Sequence, residues 1–203
     1  MRALIAVACL VLVAACGTNT PDSATDGGGA TKPEMPTETP AADGPVVGLG
    51  LVIDEESGPE LCLGPVAESY PPQCRGLPVQ GWDWAGRRGD FDDAGGVRFG
   101  TFAVTGDFDG TTLTYESAVA GALYDPMPRP EPTSSAAEQH SAADLEAIGQ
   151  ELQELPGALS TMPGDNLVVV DVVHDDGSLQ DWADATNGAG LVFVHSALAA
   201  AAG

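Results

Sequence analysis

Between Val46 and Ala118 apolar and polar side chains alternate with a period of two, the spacing of strands that bury one face. The pattern predicts strands at Val46–Ile53, Glu60–Leu63, Val79–Trp84, Val97–Val104 and Thr111–Ala118. Glycine and proline punctuate them, as short antiparallel strands require. Asp109-Gly110 separates the last two, and both residue types accept the positive φ of a tight hairpin turn. Tyr70-Pro71-Pro72-Gln73-Cys74 is expected to be an extended loop, because paired prolines cannot donate to a central sheet. Five short strands in about 75 residues predict a small antiparallel β barrel or OB-like sheet.

The period lengthens after a proline-rich stretch. Asp125 to His140 carries Pro126, Pro128, Pro130 and Pro132 and reads as a linker over residues 125–140. Beyond it Leu145, Ile148, Leu152 and Leu155 form one apolar stripe, predicting a helix from Ala142 to Leu155. Ser141 is its expected N-cap, with Asp144 three residues on, near the positive end of the helix dipole. A weak strand at Ala158–Met162 and the β-branched run Leu167–Val173 flank the turn residues Pro163-Gly164-Asp165-Asn166. Ser178 is expected to cap a short helix that Asn187-Gly188 ends, and Leu191–His195 is the last strand. So short a strand–helix–strand crossover predicts that the last two long strands are parallel. The fold class expected is α+β: a β-rich barrel or OB-like domain over residues 45–124, then a small α-β-β-α-β domain over residues 141–203.

The start of the chain follows neither period. Residues 17–44 hold four prolines and Met35 as the only large apolar side chain, so a disordered tether is expected over residues 16–44. Before it, Ala3 to Val13 is an apolar run behind Arg2, too short to span a bilayer and suited to a signal-peptide core. A plain secretory signal is one reading of it. The run ending Val13-Ala14-Ala15-Cys16 resembles the lipobox of bacterial lipoprotein precursors. That resemblance implies removal of residues 1–15, a diacylated Cys16 as the new N-terminus, and a body held on the extracytoplasmic face of the cell membrane. Val13 stands where that family more often has leucine. Two acyl chains on one residue suffice for lasting attachment.

Charge narrows the partners. A formal net charge of −23 repels phosphate backbones, so nucleic acid is not an expected partner. The membrane, through Cys16, and an envelope protein or wall glycan are the expected ones. Of four cysteines, Cys9 falls in the signal and Cys16 is the anchor; Cys62 and Cys74 remain, and in an exported protein they are expected to form a disulfide.

Two stretches carry a further resemblance. Glu60-Leu61-Cys62-Leu63-Gly64, Glu68-Ser69-Tyr70-Pro71-Pro72-Gln73-Cys74 and Gly81-Trp82-Asp83-Trp84 resemble one part of a group of predicted lipoproteins from high-GC Gram-positive bacteria. Val172-Val173-His174-Asp175-Asp176-Gly177 and Leu179-Gln180-Asp181-Trp182-Ala183 resemble its C-terminal part. The resemblance implies an envelope location and a two-part architecture.

Several residues are candidates for chemistry. His174 and His195 fall at the C-terminal ends of the two long strands, where ligands of parallel sheets bind, and Asp175 and Asp176 follow. Two imidazoles with a carboxylate could hold a divalent metal; strand ends are also polar simply because water begins there. Asp171 interrupts a valine run, as the wet face of an alternating strand does, or as a carboxylate of a site would. Trp82 and Trp84 are expected on one strand face, either as core packed on Phe102 and Tyr115 or as a stacking platform for a ligand. Asp90, Asp92 and Asp93 match no calcium-loop spacing and read as an acidic hairpin tip. No serine elbow or Ser-x-x-Lys is present, and no catalytic residue is assigned. The expected function is a membrane-anchored, non-enzymatic binding module. The alternatives are a metal- or ligand-sensing domain on His174 and His195, and a carboxylate-based hydrolase.

Overall fold

The structure, a computed structural model, describes residues 32–126, 128 and 131–201. The expected signal peptide, the expected lipidation site Cys16 and the first half of the expected tether lie outside the described residues. The described chain is mostly β with two α-helices, and so α+β. In order come β1 (Val46–Glu55), β2 (Gly58–Cys62), β3 (Leu77–Gln80), β4 (Asp92–Ala94), β5 (Val97–Phe108), β6 (Leu113–Ala120), α1 (Ala142–Leu152), β7 (Ala158–Gly164), β8 (Leu167–Val172), α2 (Ser178–Asn187), β9 (Val192–Ser196) and β10 (Ala199–Ala200).

The first sheet closes on itself. Hydrogen-bonded neighbours run β1-β2-β3-β6-β5, and β5 pairs again with β1, completing a ring of strands. Every pair in the ring is antiparallel except β3 with β6. β5 is long enough to serve two neighbours, and opposite Thr105 and Gly106 the register shifts by one, leaving Glu116 of β6 as the extra residue of a bulge. Alternation sends Val52, Leu61, Phe102, Val104 and Leu113 inward, where each is almost wholly buried. Each such side chain contributes about 1.5–3 kcal/mol relative to exposure. A smaller cluster of Ile53, Cys62 and Phe99 packs outside the ring beside the Cys62–Cys74 disulfide. The expected disulfide is therefore present, and its Cα atoms stand 6.2 Å apart.

Two local expectations change. β3 stops at Gln80, because Gly81 takes φ 85° and turns the chain, so Trp82 and Trp84 leave the strand. β4 was not expected: Asp92-Asp93-Ala94 has no apolar alternation, and it is held as an edge strand on β5 across the Gly95-Gly96 turn.

The second sheet has the order β7-β8-β9. β7 and β8 form the expected hairpin, with Asn166 at φ 55° in its turn, and β8 and β9 are parallel as expected. Val168, Val170, Val172, Val192 and Val194 bury one face with Leu145 and Leu152 of α1 and Leu179, Trp182 and Ala183 of α2. α1 begins with a full capping box: Ser141 Oγ accepts from Asp144 N, and Asp144 Oδ2 accepts from Ser141 N. α2 is capped differently from expectation. Ser178 is its first residue, and Asp175 Oδ1 accepts from Gly177 N and Leu179 N while Asp176 Oδ1 accepts from Ser178 N.

Residues Lys32–Gly203 form one compact unit. Its two larger cores share two threads of chain. Residues 32–44, expected to be tether, instead run as an extended strap. Lys32 pairs with Glu151, Pro33 O accepts from Trp182 Nε1, Met35 packs on the helical core, and Ala42 N donates to Phe108 O at 3.0 Å. A few apolar and backbone contacts suffice where composition alone predicted coil. At the other end, Leu198 enters the core of the ring and β10 pairs with β1 at Val46 and Val47. The later part of the proline-rich stretch is also seated, through Ser135 N on Gly190 O and Asn166 Nδ2 on Glu138 O.

Candidate functional site

A cleft of about 470 Å³ opens where the ring, the second sheet and the strap meet. Its ring side consists of Leu61 at the end of β2, Leu63, Leu77 and Pro78 of β3, and Phe108 at the end of β5. Leu159 and Val173 supply the other side, and the 109–112 turn and Thr39 of the strap complete it. Leu159 sits at the register shift of β7, which frees it from simple cross-strand alternation. The turn is built by Asp109: its Oδ1 accepts from Thr111 N and Thr112 N, both at 2.8 Å. Those bonds, with that from the Thr111 hydroxyl, hold the Asp109 carboxyl below its ordinary value. Thr39 threads between two glycines. A Cβ at Gly157, where φ is 71°, would lie 2.9 Å from Thr39 Oγ1, and one at Gly110 2.8 Å from Thr39 O.

Arg75 stands at the rim, next to disulfide-bonded Cys74. Gly76 N donates to Glu60 Oε2 at 2.9 Å, so a disulfide on one side and a carboxylate on the other fix the backbone of Arg75. No sequence signal pointed to this cleft. Its walls come from residues dispersed between positions 39 and 173; Leu61, Leu63, Gly64 and Val173 fall in the stretches that carry the lipoprotein resemblance, but nothing in those stretches marks a cleft.

The residues singled out from sequence are distributed elsewhere. His174 is buried, its Nδ1–H donates to Pro40 O at 3.2 Å, and its ring lies 5.9 Å from that of Phe108. It ties the strap down. His195 Nδ1 donates to Asp171 Oδ1 at 2.8 Å, and Ser160 Oγ donates to Asp171 Oδ2 at 2.7 Å. Asp171 and His195 are register partners in β8 and β9, and Ser160 faces Asp171 from β7, so the three form a cross-strand row on the face away from the helices. The valine-run carboxylate is thus on the wetter face and hydrogen-bonded. Asp175 and Asp176 are engaged in the turn before α2, where hydrogen bonds from the Ser178 side chain and backbone hold the Asp176 carboxyl low. Among the described residues, no group of three or more His, Cys, Asp or Glu side chains is positioned to hold a metal.

Trp82 and Trp84 remain together off the strand. Their rings meet edge to face at 5.3 Å, and Trp82 lies 5.1 Å from Phe102 and 5.4 Å from Tyr115. Trp84 is buried and donates to Asp54 Oδ2 at 2.7 Å; Asp54 also pairs with Arg98. Arg87 sits over both the Trp82 and Tyr115 rings and donates to Ala118 O. Phe102 and Tyr115 are the packing partners expected for the pair. Trp82 remains half-buried, with the Arg87 guanidinium over its ring.

Among the described residues no helix is long and apolar enough to cross a membrane. The chain matches no protein-family model, no curated protein and no solved structure.

Proposed function

We propose that the protein is a non-enzymatic binding module of the cell envelope, anchored through lipid on Cys16 to the extracytoplasmic face of the membrane. The observation that carries the binding role is the cleft: an apolar recess of about 470 Å³, within the ~300–1,000 Å³ usual for ligand sites, built jointly by the ring, the second sheet and the strap. The lipidation reading rests on the Val13-Ala14-Ala15-Cys16 run, and an oxidising location accords with the Cys62–Cys74 disulfide. The closed ring with its single parallel pair supports an OB-like barrel over residues 45–124, with residues 141–203 as a smaller α/β domain. In OB-like barrels the second and third strands and the loop between the fourth and fifth form the binding face, and β2, β3 and the 109–112 turn line this cleft. The metal-sensing alternative draws less support, since His174 and His195 are held by different partners.

Cross-linking in intact cells followed by mass spectrometry tests the reading. The wild-type protein is expected to capture a defined partner or ligand, and Leu159→Trp, which fills the cleft, to lose it. Arg75→Glu serves as a second variant that leaves the packing of the walls alone. Capture unchanged in both variants would remove the cleft from the proposal. Separately, Cys16→Ala is expected to release the protein from the membrane; continued membrane retention, with no lipid mass on the wild-type chain, would remove the anchor.

A further inference from the structure

The cleft differs in charge from the molecule around it. In a chain of net charge −23, Arg75 is the one charged residue among those lining the cleft. It enters no ion pair among the described residues. Glu55 and Glu60 flank its far side, and the Glu60 carboxylate is already bonded to Gly76 N. A mostly apolar recess with a single cation at its rim is complementary to an amphiphile with one negative charge.

Resting on the reading that this cleft is the binding site, we infer that it takes a carboxylate-headed acyl chain. The chain lies along Leu63, Pro78, Leu159 and Val173, the apolar lining residues that keep exposed surface, and the carboxylate meets the guanidinium of Arg75. The planar guanidinium fork suits a bidentate carboxylate. A phosphate head would bring a second charge into an acidic field with no second cation to receive it. A glycan would need rows of hydrogen-bonding side chains, and the cleft offers only the hydroxyls of Thr39 and Thr111 beside Arg75. The disulfide then acquires a role in the site, because Cys74 holds the backbone from which Arg75 projects.

The test is titration of the isotope-labelled full chain with laurate below its micelle concentration, followed by amide shifts at Gly64, Gly76 and Gly110. Dodecanol and dodecyl phosphate are titrated in parallel. Laurate is expected to give saturable shifts at those glycines, with dodecanol about tenfold weaker. Arg75→Gln is expected to lower laurate affinity by about the same factor and to leave dodecanol unchanged. Equal binding of laurate and dodecanol, or tighter binding of dodecyl phosphate, overturns the carboxylate. No saturable shift with any probe, while Leu159→Trp still abolishes capture in cells, overturns the acyl ligand and leaves the cleft as a site for another partner. Capture insensitive to Leu159→Trp overturns the cleft itself.

Discussion

The two cores achieve closure by different means. The ring satisfies its central backbone groups by joining its ends, and it fills its interior with Phe102, Trp84, Leu61 and Leu113. The β7-β8-β9 sheet remains open. It covers one face with α1 and α2 and leaves the other to the Ser160–Asp171–His195 row. The ring is aromatic and cross-linked; the second core is valine- and leucine-rich and carries neither disulfide nor ring closure. A closed ring resists loss of a neighbour, whereas an open three-stranded sheet with two helices depends on what is laid over it. Here the strap does that and also touches the ring, while Ala197 N and Leu198 N donate to Val172 O and Val173 O before β10 joins β1.

Phe102→Ala is the most damaging way to break this comparison. Phe102 has no exposed surface and touches both tryptophans, so its loss should cost about 3–5 kcal/mol. If the shared threads couple the cores, denaturant unfolding followed by helix circular dichroism and, in a Trp182→Phe background, by the fluorescence of the ring tryptophans should shift together. Two separated transitions would show that the cores fold independently. Next in size is the disulfide. Reduction, or Cys62→Ser with Cys74→Ser, should cost about 3 kcal/mol from the short loop it closes. Calorimetry with and without reductant measures it, and an effect larger on the helical signal than on the ring would contradict a staple local to the ring.

How far the sequence led differs between the regions as well. Period-two alternation located the ring strands, because each buries one face, and the stripe through Leu145 and Leu152 located α1 along with its Ser141–Asp144 capping box. These are local signals, complete within a few residues. The strap carries none: Pro33, Pro40 and Ala42 look like coil, and their partners Trp182, His174 and Phe108 lie more than 60 residues away. The cleft was invisible for the same reason. His174, Asp175 and Asp176 did stand out, but as polar residues at a strand end they serve the strap and the start of α2.

The strap gives the third test. Gly157→Val forces a β-branched side chain into φ 71° and against Thr39, so it should destabilise by about 1–3 kcal/mol. Its distinguishing sign is early proteolytic cutting between residues 32 and 45, before the ring or helices open. If cutting there is unchanged, the strap is not held at Thr39. Asp175→Ala should cost somewhat less, about 1 kcal/mol, by leaving Gly177 N and Leu179 N without their acceptor. That loss should register as reduced thermal stability of α2 without any added metal.

The smallest effect separates the two regions by pH. Asp144 at the start of α1 and Asp176 before α2 are held below the ordinary aspartate value of 3.8, each first by a serine side-chain hydrogen bond and then by the same serine's backbone N–H. In the ring, Asp109 alone is lowered in this way, by backbone bonds from Thr111 and Thr112. A carboxyl that is easier to ionise when folded binds fewer protons there than in the unfolded chain, so the stability it adds is complete above 3.8 and is lost as pH falls through its lower folded value. Both helix starts therefore weaken in the acid window below 3.8, while the ring loses only one turn. In a Trp182→Phe chain, whose remaining tryptophans both lie in the ring, helix circular dichroism should fall before tryptophan fluorescence changes as pH is lowered through that window. Ser141→Ala should flatten the Asp144 part of that slope, because it removes the hydroxyl that favours the ionised form. A ring signal that falls first, or a Ser141→Ala slope equal to wild type, would place the acid-sensitive contacts outside the helix caps.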